Sequence, residues 1–592
     1  MSNVSRSSGS TESTNQGDYK DLVLGQRSGL FVLFFTEMWE RFSFYGMRVL
    51  LIQFLTAAVL VGDAKSGWAW SAEQAGALYG TYAMMLYLTP IFGGIIADKY
   101  IGSRMAVIVG AIIMTLGHAA MAFDTTIMFF IGLGCLVIGT GFFKPNMPSI
   151  LGEMYKDLPE KKDGAYTIFY MGVNAGAFFG MMLCGYVAET QGWHWGFGLA
   201  GVFMLLGTLQ FAFAKPLMGN LGVINTDKEV VAAKQLEDTD KRNPFTISDY
   251  LLIGIVGVIG FLYAFNDPLS KNGIIDLFAF LDTGFLRGQY MMIIVALLIF
   301  VYLLVSRIIR YDKVVRDRMF AVVLLAFFLI FFFMSFEQGA TSLVLVARDY
   351  IDRSLSGSAL LTFNIINALL TIGPLLIISW VLIRLAKATW TRIALSNIIL
   401  IVCFVIIWGA AIWMLKNEFS KEASEITVSW FSTLNSFFII ALASTVSKLW
   451  ESKYNPSAAF KYGFGLILVA IGFLVLGLGA MGVSEGVKIS MIFLVLTYLF
   501  HTLGELFISP VGLSYVSKLV PARMLAFMFG IWYLAIAIAQ KLAAVLGGQV
   551  ETIQEQYSLS HFFFLFTAIP AAAGLLVMIC NPLIKKLMHG VK

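Results

Sequence analysis

Apolar residues run through this chain in long stretches, each close to the twenty or so residues that an α-helix needs to cross the hydrocarbon core of a bilayer, with short polar connections between them. By that measure the pattern predicts sixteen crossings, near residues 30–60, 74–97, 105–123, 126–151, 166–188, 195–214, 249–266, 288–306, 319–343, 358–383, 393–415, 429–449, 461–483, 488–516, 524–547 and 559–584. Two segments break the pattern. Residues 1–28 are polar and rich in Ser, Thr and Asn, with neither an apolar core nor a small-residue cleavage site. They read as a disordered tail rather than a signal peptide, which leaves targeting to the first span. Residues 215–248 form a long polar stretch after the sixth span and read as a linker between two membrane halves.

Composition adds the class. With 58% hydrophobic residues, 13% charged residues and a mean hydropathy of +0.81, the chain is an all-α polytopic membrane protein, and a soluble core is excluded. Alternating the connections between two sides sorts the 41 Lys and Arg into 29 on the side shared with both termini, 8 on the other and 4 within spans. The positive-inside bias therefore predicts cytoplasmic termini in the cytoplasmic (inner) membrane. Runs such as Arg307, Arg310, Lys313, Arg316 and Arg318 read as topology anchors at the lipid surface. The net charge of +5 has the same origin and argues nothing for nucleic acid. Cys135, Cys184, Cys403 and Cys580 lie in apolar segments without metal-type spacing and read as packing residues, so neither a disulfide framework nor a metal site is expected.

The first span carries Glu37, Glu40, Arg41 and Arg48. A charge at mid-bilayer costs at least ~2.5 to 3.5 kcal/mol, so four on one span imply a protein-lined or aqueous interior and a function. At 100° per residue, Glu37, Glu40, Arg41, Tyr45 and Arg48 fall within an arc of roughly 140°, so one face holds every charge and must look inward. These residues point to movement of a charged solute across the membrane.

Particular strings sharpen this. Gly93-Gly94-Ile95-Ile96-Ala97-Asp98-Lys99-Tyr100-Ile101-Gly102-Ser103-Arg104 resembles the loop signature of the major facilitator superfamily. Glu37-Met38-Trp39-Glu40-Arg41-Phe42-Ser43-Phe44-Tyr45-Gly46 resembles the E-x-x-E-R-F-x-x-Y-G signature of the proton-dependent oligopeptide transporter family, a branch of that superfamily. Three further segments agree with the family pattern: 141–146 around Lys144, 169–176 around Asn174, and 504–510 starting at Gly504-Glu505.

The resemblance implies a major facilitator fold, with six-helix bundles at 29–214 and 319–592 and two extra helices with their connection at 249–318. Between Glu337 and Asn435 the chain departs from the family, and the spans there read as a further inserted helix pair at about 358–415 that crosses twice. Its all-round apolar character suits lipid packing or a dimer contact; the sequence leaves oligomeric state open. Phe336 replaces a second acidic residue, and Ser436 and Ser444 replace prolines expected near Asn435.

The resemblance also implies roles. A zwitterionic di- or tripeptide needs opposite charges at its two ends. Arg41 and Lys144 would face the carboxylate, and Asn174, Asn435 and Glu505 would hold the amino end. Glu37, Glu40 and Glu505, partnered by Arg41 and Lys144, would carry the coupling proton, because changing a carboxyl's neighbours changes its proton affinity. Arg48 and Glu337 would form a gate between the halves, with Arg48 also bordering the substrate. Tyr45, Tyr82 and Trp532 would line the side-chain space.

Structural alternatives stand beside each role: an ion pair for the charges, an interhelical hydrogen bond for the asparagines, packing for the aromatics. The histidines lie outside the motif stretches, with His501, one turn before Glu505, the one of interest. No nucleophile with its base and no metal cluster supports an enzyme, and no cofactor is implied beyond the proton. The expected activity is proton-coupled import of di- and tripeptides by alternating access. Relatives carrying nitrate, amino acids or peptide-like compounds, or a non-transporting sensor on the same scaffold, are the alternatives.

Overall fold

The computed structural model describes residues 18–123, 125–224, 243–453, 455–520 and 524–591. The expected tail lies outside them over residues 1–17, as does the expected linker over 225–242. The long helices of the first bundle are α1 (Ser28–Thr56), α2 (Ala72–Ile96), α3 (Ser103–Met121), α4 (Thr126–Phe143), α5 (Pro159–Gln191) and α6 (Trp193–Phe213). The extra pair is α7 (Ile247–Lys271) and α8 (Gly288–Ile309). The second bundle follows as α9 (Lys313–Phe336), α10 (Gly357–Phe419), α11 (Val428–Glu451), α12 (Ala458–Gly479), α13 (Met491–Leu519), α14 (Leu525–Gly547) and α15 (Leu559–Ile579). Among the described residues fourteen helices are long and apolar enough to cross a membrane. The charges of α1 set it apart from these fourteen, and α10 is two limbs joined at Ile393, whose backbone (φ −131°, ψ 45°) leaves the helical region. Counting α1 and both limbs gives the sixteen expected crossings.

Local chemistry sets the element boundaries. Ser71 with Gln74 and Thr246 with Asp249 form reciprocal caps that start α2 and α7 and satisfy two otherwise unpaired amides each. Pro145 follows the last turn of α4 and opens the short helix Asn146–Met154, which leaves Lys144 at the junction. The helical path after α9 breaks in the same way: a tight turn, Glu337–Ala340, separates it from the short helix Ser342–Asp349. Two candidate site residues thus sit where helices are interrupted.

In the first bundle α1 packs most extensively on α5, then on α6, and α3 packs on α4. The halves meet where α2 lies against α14 and α5 against α11. Close approach of α1 and α5 depends on glycines four apart on α5. A Cβ on Gly176 would lie 2.2 Å from the Met38 carbonyl oxygen, and one on Gly180 would lie 2.2 Å from that of Phe42. This small-residue stripe lets the two backbones touch.

The limbs of α10 form a hairpin. Their outer ends are joined by antiparallel strands Ser354–Ser356 and Ala423–Glu425, and Trp408 Nε1 donates to Ser379 Oγ across it at 3.0 Å. Although the hairpin interrupts the second half in sequence, it docks on α6 and α5 of the first, where Ser396 Oγ donates to the Gln210 carbonyl at 2.8 Å. Its far face, including Leu369, Leu376 and Val405, is exposed and apolar, as a lipid-facing surface requires.

Gly176→Ala should force α1 off α5 and cost about 1–3 kcal/mol by overpacking. Gly198→Ala, where nothing lies within 4 Å of the new Cβ, should stay within about 0.5 kcal/mol of the parent. Thermal unfolding of the detergent-solubilised protein, followed by size-exclusion chromatography, checks both.

Candidate functional site

The charged face of α1 points into the protein. Glu37, Glu40 and Arg41 are all buried, and one guanidinium serves both carboxylates: Arg41 Nε lies 2.8 Å from Glu37 Oε1 and 2.7 Å from Glu40 Oε2. Burial makes this sharing necessary, because a lone carboxylate in a low-dielectric interior is too costly to keep. Lys144, held at the end of α4, is half-buried and rests its ammonium over the Tyr87 ring, 3.9 Å from the centroid. It makes no ion pair with either glutamate, yet lies close enough for Glu40, Glu37 and Arg41 to act on its charge. Asn174 on α5 is half-buried and donates to the Tyr170 carbonyl at 3.0 Å.

The second bundle supplies the opposite sign. Glu505 on α13 accepts from Asn435 Nδ2 of α11 at 3.0 Å, and the same amide also donates to Thr502 Oγ1 at 3.1 Å. Asn435 stands opposite Glu505 despite the serines around it. Tyr45 and Tyr87 connect the two sets of charges: each lies within electrostatic reach of Arg41 and Arg48 on one side and of Glu505 on the other. Cations of the first half and a carboxylate of the second therefore act on the same two tyrosines where the bundles meet.

Beyond it, toward the end of α1 away from Ser28, Arg48 pairs with Glu337 across the halves. Arg48 Nε also donates to Tyr79 OH at 2.6 Å, and Gln540 Nε2 donates to Glu337 Oε1 at 2.7 Å. Further contacts join the halves on that side. Glu189 of α5 accepts from the backbone of Val428 (2.9 Å) and Ser429 (3.1 Å), and Arg348 donates to Thr56 Oγ1 at 2.7 Å. Lys541 of α14 pairs with buried Asp267 of α7 at 2.6 Å and donates to Thr81 Oγ1 of α2 at 2.9 Å. These contacts hold the two halves together at the end of α1 away from Ser28.

Sequence reasoning missed several of these partners. Tyr79, Tyr87, Gln540 and Thr502 carry no motif. Lys541 did carry a signal, being a lone lysine in an apolar span, and its partner Asp267 lies 274 positions earlier. Tyr82 is buried with its hydroxyl unpartnered. Trp532 is buried with its ring packed against Gly512 of α13. His501 is buried against Gly472 and the Phe473 ring. His118, outside every motif, hydrogen-bonds Ser43 beside Glu40.

Two six-helix bundles that face each other across buried, oppositely charged side chains define a membrane transporter of the major facilitator type. The PTR2 model, described as the POT family, matches residues 104–418 and 418–563. The peptide transporter YePEPT of Yersinia enterocolitica subsp. palearctica is 32% identical over 570 residues, covering 94% of each chain. A di-/tripeptide transporter of Lactococcus lactis subsp. cremoris is 26% identical over 573 residues, covering 96% of this chain and 98% of its own. A crystal structure of the peptide transporter POT in complex with sulfate superposes with a TM-score of 0.70 at 27% identity, covering 96% of this chain and 98% of that one. The chain belongs to the POT family, whose members are transporters and not enzymes.

Glu337→Ala would leave the half-buried Arg48 guanidinium without its carboxylate, at a cost of about 1–3 kcal/mol. The Arg48→Ala/Glu337→Ala pair should lose less than the sum of the two single variants. A double-mutant cycle of thermal stability in lipid nanodiscs measures this.

Proposed function

We propose that this protein is a proton-coupled symporter that imports di- and tripeptides across the cytoplasmic membrane by alternating access, with both termini in the cytoplasm. The observation that supports the reading is the arrangement of charge: Arg41 and Lys144 on one half and Glu505 with Asn435 on the other lie around Tyr45 and Tyr87, within reach of the same rings. A free peptide is a dipole of complementary polarity. Its carboxylate meets the Arg41 fork and the Lys144 ammonium, and its ammonium meets Glu505, with Asn174 and Asn435 taking the remaining hydrogen bonds. Peptides share these termini whatever their side chains, so one site serves many sequences. Tyr45 faces the variable side chains, with Tyr82 and Trp532 as walls behind.

Coupling follows from the shared guanidinium. While Glu37 and Glu40 are both ionised, Arg41 is committed to them. A proton arriving from outside on one carboxylate releases part of that hold, and the substrate carboxylate takes its place. Glu505 exchanges its partners in the same manner when the peptide ammonium arrives. Arg48 and Glu337 act as the outer gate, and the closed outer end is the arrangement from which cargo leaves to the cytoplasm. One proton moving down ~100 mV supplies ~2.3 kcal/mol, enough to hold more than a tenfold gradient at ~1.4 kcal/mol per decade. No cofactor takes part apart from the proton itself. Cytoplasmic termini agree with the excess of Lys and Arg on their side.

Proteoliposomes with an imposed inward proton gradient should accumulate a labelled dipeptide. Glu37→Gln and Lys144→Ala should each reduce accumulation to background while the protein remains inserted. Unlabelled di- and tripeptides should compete, whereas nitrate and single amino acids should not; failure of every peptide to compete would overturn the substrate assignment.

A further inference from the structure

The extra helices α7 and α8 have no part in the transport scheme, yet α7 places a carboxylate at the seam where the halves meet. Asp267 is fully buried and lies between two ammonium groups, that of Lys541 on α14 at 2.6 Å and that of Lys271 on α7 itself at 3.4 Å. Among the described residues these are the only partners of its carboxylate. Lys541 is buried as well and divides its three donors among three groups: Asp267 of α7, the Ala77 carbonyl oxygen of α2 at 3.0 Å and Thr81 Oγ1 of α2 at 2.9 Å. Thr81 Oγ1 in turn donates to the Ala264 carbonyl oxygen of α7 at 2.5 Å, and about one turn further on Met84, Ala264 and Ala537 form a buried apolar contact of the same three helices. One ammonium of the second half therefore joins α2 of the first half to α7.

This meeting point adjoins the Arg48–Glu337 pair. Tyr79, which accepts from Arg48, lies between Ala77 and Thr81 on α2, and Gln540, which donates to Glu337, precedes Lys541 on α14. The two backbones are also close here: a Cβ on Gly76 would lie 2.6 Å from the Ala544 carbonyl oxygen, and one on Gly80 would lie 3.1 Å from Lys541 Cδ. α2 and α14 cannot part at this end without withdrawing Lys541 from Ala77 and Thr81. On parting, α7 stays with α2, because it packs on that helix and is tied to it by Thr81, by Gln74 Nε2 donating to the Lys271 carbonyl oxygen (3.4 Å) and by the Lys271–Glu73 pair (3.5 Å). Lys541 then leaves Asp267 too.

We propose that Asp267 is a latch on the outer seam: it holds Lys541, and with it α14, against α2 while the outer end is closed, and it is left to Lys271 alone when the halves part there. The extra helix pair thereby sets the balance between the two ends of the transport cycle. The inference rests on the reading of the protein as an alternating-access transporter. Lys271, whose side chain is only 3% exposed, keeps Asp267 paired in the open arrangement, so no buried carboxylate is stranded. Lys541 exchanges its three partners for water in the widened seam. Two neutral substitutions should therefore act in opposite directions. Asp267→Asn leaves the Lys541 ammonium buried in the closed seam without its carboxylate and costs it nothing in the open one, so opening is favoured. Lys271→Gln removes the partner that Asp267 keeps after opening, so closure is favoured.

The test is a distance across the seam, read by pulsed electron paramagnetic resonance on the full-length protein in lipid nanodiscs. Spin labels go on Lys65→Cys, in the α1–α2 connection, and on Glu555→Cys, beyond α14, both exposed positions; Cys135→Ala and Cys580→Ala remove the native cysteines that are not buried. The labelled parent should show a short and a long distance. Asp267→Asn should raise the long-to-short ratio about threefold or more, and Lys271→Gln should lower it by about the same factor. The two together should behave as Asp267→Asn alone, because Lys271 acts through Asp267. Size-exclusion chromatography reads folding; should Asp267→Asn fail to fold, the fall with Lys271→Gln decides. Two populations that neither variant moves, or that both move the same way, would overturn the latch and leave alternating access standing. A single distance in the parent and in every variant would overturn alternating access at this seam, and the latch with it.

Discussion

Everything in this molecule is arranged around the cost of burying charge where water cannot reach. Arg41 tolerates its position because two carboxylates share it, and Glu37 and Glu40 tolerate theirs because the guanidinium and the nearby Lys144 balance them. The same constraint recurs outward along the seam between the halves, in Arg48 with Glu337 and in Asp267 between Lys541 and Lys271. A buried ion pair adds little net stability compared with an apolar pair of the same volume, but breaking one is expensive. Such charges can therefore move only by exchanging partners. A zwitterion and a proton are both acceptable partners, which is why a network of this kind can link the transfer of one to the other.

Packing gives that network its precision. Glycines on α5 press α1 so close that a Cβ built on Gly176 would lie 2.9 Å from the Arg41 Cβ. The position of the guanidinium is thus set by backbone contact rather than by long, adaptable side chains. Lys144 and Glu337 are fixed differently, at interrupted helices where the chain changes direction. The residues that hold charge in the first bundle sit on a rigid pair of helices, and those at its margins sit at breaks.

Much of this was legible beforehand because membrane burial is a strict reader of sequence. Glu37, Glu40 and Arg41 announced themselves by their cost, and the arc they occupy on a helix fixed which way they look. Span number could be counted because each apolar run must match one bilayer thickness. The partners were hidden for an equally physical reason: Tyr79, Tyr87, Gln540 and Asp267 belong to residue types that are individually common, and only the tertiary fold brings them to Arg48, Lys144, Glu337 and Lys541. His118 was hidden for a related reason. A neutral histidine inside an apolar run costs far less than a charge, so nothing in the pattern marks it, although the fold sets it beside the most constrained carboxylate.

The inserted hairpin shows where periodicity stops informing. Its outward face is as apolar as lipid requires, and an all-round apolar reading follows naturally from the sequence. Its inward face carries Asn364, Asn367, Thr371, Ser396 and Asn397, all buried. Polar groups buried in a membrane need partners there. They find them in the hairpin itself, where Asn364 donates to the Glu418 carbonyl at 3.1 Å and Asn397 to Thr389 at 3.0 Å. They find them also in the neighbouring helices, through Gln210 of α6 and Trp430 of α11. A segment that only filled lipid space would have no use for these side chains. Their placement argues that the hairpin is a specifically docked part of the transporter, seated mainly on the first half, with its two ends tied to each other through the paired strands at 354–356 and 423–425.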